Sequence, residues 1–211
     1  MTTHTLRRWG AILLTGGFCM TVAYLFIPSS AHSGLIRPCA ALALVGVLLA
    51  LPGLVAFQRG QSARARINGW IGTGLTVLAL IALEIPHLVL GTFSPSSLYN
   101  LDAYHSGTWG QLEFGGLALL PVGLIVLAVA IWRADTYPRW AVGLMVANIV
   151  VGGVDALVPS LSDLLRQPAP NYLLMGLLGV AMVRRSTQSS EPAKAFDHQD
   201  PLTSVDRKSV V

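Results

Sequence analysis

The chain has 211 residues, of which 53% are hydrophobic and only 11% charged, and its mean hydropathy is +0.61. A soluble domain carries about 25% charged residues, so this composition excludes an ordinary soluble globular protein. The formal charge of +4 lies in short basic clusters between apolar blocks, a pattern that sets membrane orientation and excludes a nucleic-acid-binding surface.

Six apolar blocks predict membrane-spanning helices, at 10–27, 36–57, 67–90, 112–132, 140–158 and 171–183. A crossing needs about 20 apolar residues. The sixth block has 13 and rises only about 20 Å, so it needs Arg184 and Arg185 to snorkel. For the first block a second reading stays open. Arg7-Arg8, an apolar run and the small residues near Ser30-Ala31 also fit a cleaved signal peptide, although the run is longer than the usual 7–15 or so residues.

Orientation follows from the cations. Arg7, Arg8, Arg59, Arg64, Arg66, Arg133, Arg139, Arg184, Arg185, Lys194, Arg207 and Lys208 all fall on one side of the six-span arrangement, against Arg37 and Arg166 on the other. The arginine-rich side is therefore expected to be cytoplasmic, with both termini there. Residues 1–185 form the transmembrane domain on this reading, and the polar tail 186–211 is expected to be disordered. Cys19 and Cys39 lie in apolar blocks without CxxC spacing and are expected to be inert thiols.

The odd blocks open alike, at Arg8-Trp9-Gly10, Gly69-Trp70-Ile71-Gly72 and Arg139-Trp140-Ala141-Val142-Gly143, and each ends near a proline: Pro28, Pro86 and Pro159. The even blocks run from Leu42-Ala43-Leu44, Leu117-Ala118-Leu119 and Leu173-Leu174-Met175 to Arg59, Arg133 and Arg184. The expectation is an all-α membrane protein of three repeated helical hairpins. Tryptophan suits headgroup depth, and glycine lets helices approach closely where lipid provides no hydrophobic drive.

In the loop from Trp132-Arg133-Ala134 to Pro138-Arg139-Trp140, between glycine-rich blocks, the chain resembles small, uncharacterised six-span bacterial integral membrane proteins. That resemblance implies the bacterial cytoplasmic membrane and transfers no catalytic residue. Arginine at twelve against two lysines, with abundant Ala, Gly and Leu, fits a GC-rich bacterial source.

Ionisable groups inside spans are costly and mark function by default. Glu84, His87, Glu113 and Asp155 lie within or at the rim of the spans, all toward the outer side. Glu84 and Asp155 fall 14 and 15 residues after Trp70 and Trp140, and Tyr24 falls 15 after Trp9. This repeat position could direct two acids and a phenol at one central cavity. Glu84 and His87, three apart, share a helix face, with Pro86 expected to kink the helix between them. The outer loop 91–110 contains no lysine or arginine and carries Asp102, Tyr104 and His105.

Several readings of these residues remain open. Glu84, His87 and His105, with Glu113 and Asp155, form an adequate ligand set for a divalent metal, the one cofactor the sequence admits. A carboxylate and an imidazole could instead exchange protons or hold a ligand. The structural alternative leaves Glu84 and His87 at the interface, bonded to the loop or to water. Asn148, in mid-span, is expected to join helices by a hydrogen bond. There is no Walker loop, GxGxxG, GxSxG or HExxH to suggest an enzyme.

Three functions are consistent with this pattern. The leading one is non-catalytic binding of a small or lipidic ligand from the outer side, as a sensor or transport component in the lipid bilayer. The others are a proton-coupled small-solute transporter and a membrane-embedded metal-dependent hydrolase or acid–base cyclase.

Overall fold

The computed structural model describes residues 2–26, 33–61, 66–94, 107–157 and 169–188, without the side chains of residues 33, 154–157 and 188. Among the described residues the secondary structure is entirely helical: α1 (Thr3–Phe26), α2 (Ser33–Arg59), α3 (Arg66–Phe93), α4 (Thr108–Ala134), α5 (Arg139–Leu157) and α6 (Ala169–Gln188). The described residues of all six apolar blocks thus lie on helices, and four of the helices extend a few residues beyond the block at each end. Four of them, α1 to α4, are long and apolar enough to cross a membrane, and α5 is apolar but shorter over Arg139–Gly153.

Helix is what these sequences favour. Long Leu/Ala/Val runs contain no polar side chain able to compete for backbone groups, and in an apolar setting each N–H and C=O must be satisfied within its own segment. Prolines at 38, 52, 86 and 121 lie inside helices, and α3 continues through Pro86 to Phe93. Asp135 ends α4 in the left-handed region (φ 48°), where its N–H still reaches the carbonyl of Ile131 at 3.2 Å. A short polar side chain tolerates that conformation best after glycine.

Each helix packs against its neighbours in chain order, and α6 returns to pack along α1, closing a ring of six. The α3–α4, α1–α6 and α1–α2 contacts are the most extensive, while α5 contacts its neighbours more thinly. The first two expected hairpins are therefore tight antiparallel pairs, whereas α6 packs mainly on α1. The reason lies in the glycines. A Cβ on Gly17 would sit 2.4 Å from Gly176 Cα, and one on Gly10 would sit 2.7 Å from the carbonyl oxygen of Gly179. Backbones touch there, as they do between Gly16 and Gly46 in the α1–α2 pair. Gly116 likewise meets α3 at Ala79 and Leu83, while Gly115 and Gly153 face open space and a Cβ on Gly152 would lie 3.7 Å from Asn171 Nδ2.

The core comprises residues such as Leu13, Met20, Val47, Phe57, Leu80, Leu127, Met145 and Met182. Large apolar side chains also cover the outside, among them Phe18, Leu48, Leu78, Ile125 and Val150, each at least half exposed. An apolar exterior around a packed interior fits a lipid environment. Cys19 and Cys39 are free and half-buried.

Ser186 and Thr187, expected in the tail, belong to the last turn of α6. Their hydroxyls donate to the carbonyls of Val183 (2.6 Å) and Arg184 (2.7 Å), occupying acceptors that a helix end otherwise leaves open. Residues from 189 onward lie outside those described, as do His32, Asp102, Tyr104, His105 and Pro159.

At the end where α1 begins and α6 finishes, aromatic and basic side chains interlock. Tyr137 stacks on Phe57 (centroids 4.2 Å apart) and donates to the Phe57 carbonyl at 2.8 Å. Arg185 lies over the Tyr137 ring at 5.1 Å and donates to the carbonyl of Gly60. Arg184 covers Trp140 at 5.7 Å, and Arg139 covers Trp132 at 5.5 Å. Burial pushes the Tyr137 phenol up to about 12, with Arg185 opposing that rise.

A candidate carboxylate site

Glu84 lies on α3 with only 3% of its surface exposed. Tyr24, near the end of α1, donates its hydroxyl to Glu84 Oε2 at 2.5 Å, and Tyr172, in the first turn of α6, donates to Oε1. The two phenol rings stack at 5.1 Å and 25°. Three helices thus converge on one carboxylate, and both of its oxygens are engaged. Bonds from hydroxyls to a carboxylate are charge-assisted and about twice as strong as neutral ones.

The convergence follows from the ring closure. Tyr172 lies one turn before Gly176 on α6, and Tyr24 lies two turns after Gly17 on α1. The Gly17–Gly176 backbone contact therefore sets the spacing of the two phenols. Thr21, on the intervening turn, donates to the Gly17 carbonyl (2.7 Å) and approaches that of Ala169 (3.4 Å), which registers α1 against the start of α6.

Glu113, in the first turns of α4, is near enough to act electrostatically on both Glu84 and Tyr24. Its Oε2 is buried without a hydrogen-bond partner among the described residues. Among the described residues, the ionisable neighbour of Glu84 besides the two tyrosines is thus another acid rather than a lysine or arginine. Two carboxylates in low dielectric call for a proton or a cation between them.

Of the residues singled out from sequence, the structure brings Tyr24, Glu84 and Glu113 together. Among the described residues the partners of Glu84 are two tyrosines; residues 95–106 of the outer loop lie outside those described. His87 lies half-buried one turn along α3 from Glu84. Asp155 lies on α5, but its side chain and the whole of His105 are outside the described residues. Among the described residues, no three His, Cys, Asp or Glu side chains are grouped as metal ligands.

Tyr172 escaped the sequence reading. The one available signal was a tyrosine opening an otherwise apolar segment, while its partnership with a glutamate 88 positions away exists only in three dimensions. Asn148 does join helices, donating from Nδ2 to the Asn171 carbonyl at 2.7 Å between α5 and α6. Sequence reasoning also passed over Gln58, Gln61 and Thr73, all of which carry buried polar atoms without a partner among the described residues.

No family model matches the chain, and neither a curated protein nor a solved structure is significantly similar to it.

Proposed function

We propose that this is a six-span integral membrane protein of the bacterial cytoplasmic membrane that binds a small ligand at the Glu84 cluster from its outer side, acting as a sensor or transport component rather than an enzyme. The arrangement is three hairpins with both ends cytoplasmic. Supporting it are the one-sided arginines, the apolar exterior and the four helices of spanning length. On this topology α5 and α6 also cross, with Arg184 and Arg185 at headgroup depth.

The observation that carries the ligand reading is the buried Glu84 carboxylate held by phenols from α1 and α6. Such a group senses any positive partner that reaches it, of which the proton is the smallest. Binding there changes the bonds between α3 and the α1–α6 pair, and so couples occupancy to helix packing.

Infrared difference spectra of the protein in nanodiscs, recorded as pH is stepped, test this directly. A protonated-carboxyl C=O band that titrates in the wild type and is missing from Glu84→Gln is the expected result; an identical band in Glu84→Gln would overturn it. Reporter fusions after Val183 test the topology, with a cytoplasmic tail expected and an external tail contradicting it.

A further inference from the structure

We infer that the arginine-rich ends of α4, α5 and α6 form a seat for an anionic phospholipid, its phosphate held by Arg139 and Arg184 and an acyl chain laid along the α4–α5 seam. This goes beyond the Glu84 reading. It adds a second ligand at the other end of the bundle and shares with that reading only the membrane environment.

Tryptophan and arginine adjoin where α4 ends and where α5 begins, at Trp132-Arg133 and Arg139-Trp140, and a further arginine pair closes α6. In the fold these residues form an alternating arc of cation and ring. Arg139 lies over the Trp132 ring at 5.5 Å, and Arg184 lies over the Trp140 ring at 5.7 Å. Both arginines are exposed, and their partners among the described residues are these rings rather than carboxylates. A cation–π contact engages the charge of a guanidinium but leaves its N–H donors for the oxygens of a phosphate. Tryptophan at headgroup depth puts those donors where lipid phosphates lie.

Charge selects the class of lipid. Among the described residues this end of the bundle carries eight arginines against one acid, Asp135. A zwitterionic headgroup brings its own ammonium into that field, whereas an anionic headgroup brings none, so the anionic lipid gains more.

The apolar surface below the arc continues the seat. Beneath Trp132, α4 exposes Val129, Ile125 and Val122 at helical spacing, and beneath Arg139, α5 exposes Gly143, Val146 and Val150 in the same way. The Arg139–Trp132 contact brings the heads of the two stripes together. Gly143, one turn below Arg139, has no atom within 4 Å of where a Cβ would lie. The seam is therefore open at the depth where an acyl chain leaves its headgroup. It also lies where the packing is thin, since α4 contacts α5 far less extensively than it contacts α3.

The test is binding of dioleoyl phosphatidylglycerol to the full chain in detergent micelles, followed by native mass spectrometry, with dioleoyl phosphatidylcholine and inorganic phosphate as competitors. The variants are Arg139→Gln/Arg184→Gln, Gly143→Phe and the charge control Arg7→Gln/Arg8→Gln on α1, each checked for wild-type helicity and thermal midpoint. Wild type should prefer phosphatidylglycerol, with its affinity falling about tenfold or more in Arg139→Gln/Arg184→Gln. It should also fall severalfold in Gly143→Phe, which fills the seam and leaves both arginines in place. Arg7→Gln/Arg8→Gln should stay within about twofold of wild type, because distant exposed charges are screened. Equal losses in the two double variants would overturn the seat in favour of diffuse charge. Unchanged binding in Gly143→Phe would overturn the acyl-chain position. Equal binding of phosphatidylcholine, or displacement of the lipid by an equal concentration of inorganic phosphate, would overturn an anionic lipid as the occupant. Binding read in micelles is independent of both the reporter-fusion topology and the Glu84 infrared band, so each of those readings stands or falls separately.

Discussion

Replacing Gly17 by alanine tests whether α6 closes the ring on α1. The added Cβ would lie 2.4 Å from Gly176 Cα, 2.7 Å from Gly176 N and 2.7 Å from the Tyr172 carbonyl oxygen. Ordinary carbon contacts sit at about 3.5–4.0 Å, so the helices must part by roughly 1 Å. All three obstructing atoms are backbone, and no rotamer change relieves them. Overpacking of this kind reaches about 3 kcal/mol, against which alanine recovers about 1 kcal/mol of helix propensity. Gly17→Ala should therefore lose about 2 kcal/mol net. Gly74→Ala is the matched control, since nothing lies within 4 Å of its Cβ, and it should gain about 0.5–1 kcal/mol. Unfolding by sodium dodecyl sulfate in mixed micelles, followed by circular dichroism, reads both. Because Tyr24 and Tyr172 ride on the parted helices, the titrating Glu84 band should also shift in Gly17→Ala alone. Equal stability of the two variants would refute the α1–α6 contact.

Two further predictions concern the rest of the bundle. The Tyr137 phenol, raised by burial to about 12 from about 10 when unfolded, supports the fold fully below the unfolded value. That support is lost as pH rises from about 10 to about 12, amounting to about 3 kcal/mol at most. Stability measured at roughly pH 9 and pH 11 should fall more steeply in the wild type than in Tyr137→Phe, and parallel slopes would count against the burial argument. Asn148→Leu removes the bond to the Asn171 carbonyl and should cost about 0.6–1.7 kcal/mol, the range of polar contacts between membrane helices. A variant as stable as the wild type in the same detergent titration would show that the α5–α6 contact does not depend on that bond.

Helicity was legible in the sequence because a long apolar run leaves the backbone no partner but itself, so the described residues of each block from 10–27 to 171–183 fall on a helix. Boundaries were less so. The sixth block ends at Val183 by hydropathy, yet α6 continues to Gln188, because Ser186 and Thr187 bond back to the preceding carbonyls. Hydropathy measures lipid preference, and helix ends obey hydrogen bonding instead.

The candidate site was half legible. Glu84 and Tyr24 stood out as polar groups in apolar runs at one repeat position, and cost alone marks such groups. Tyr172 and the atoms of Gln58, Gln61 and Thr73 that lack a partner among the described residues did not stand out, since tyrosine, glutamine and threonine near a span end are unremarkable until their surroundings are known. The sequence by itself therefore determined the helices, their apolar character and the buried acid. Only the tertiary structure decided which helices touch, and through them that Glu84 meets two phenols. Glycine contacts at Gly10, Gly16 and Gly17 select the partners of α1 by backbone shape, and shape complementarity between segments far apart in the chain leaves no period or motif to read.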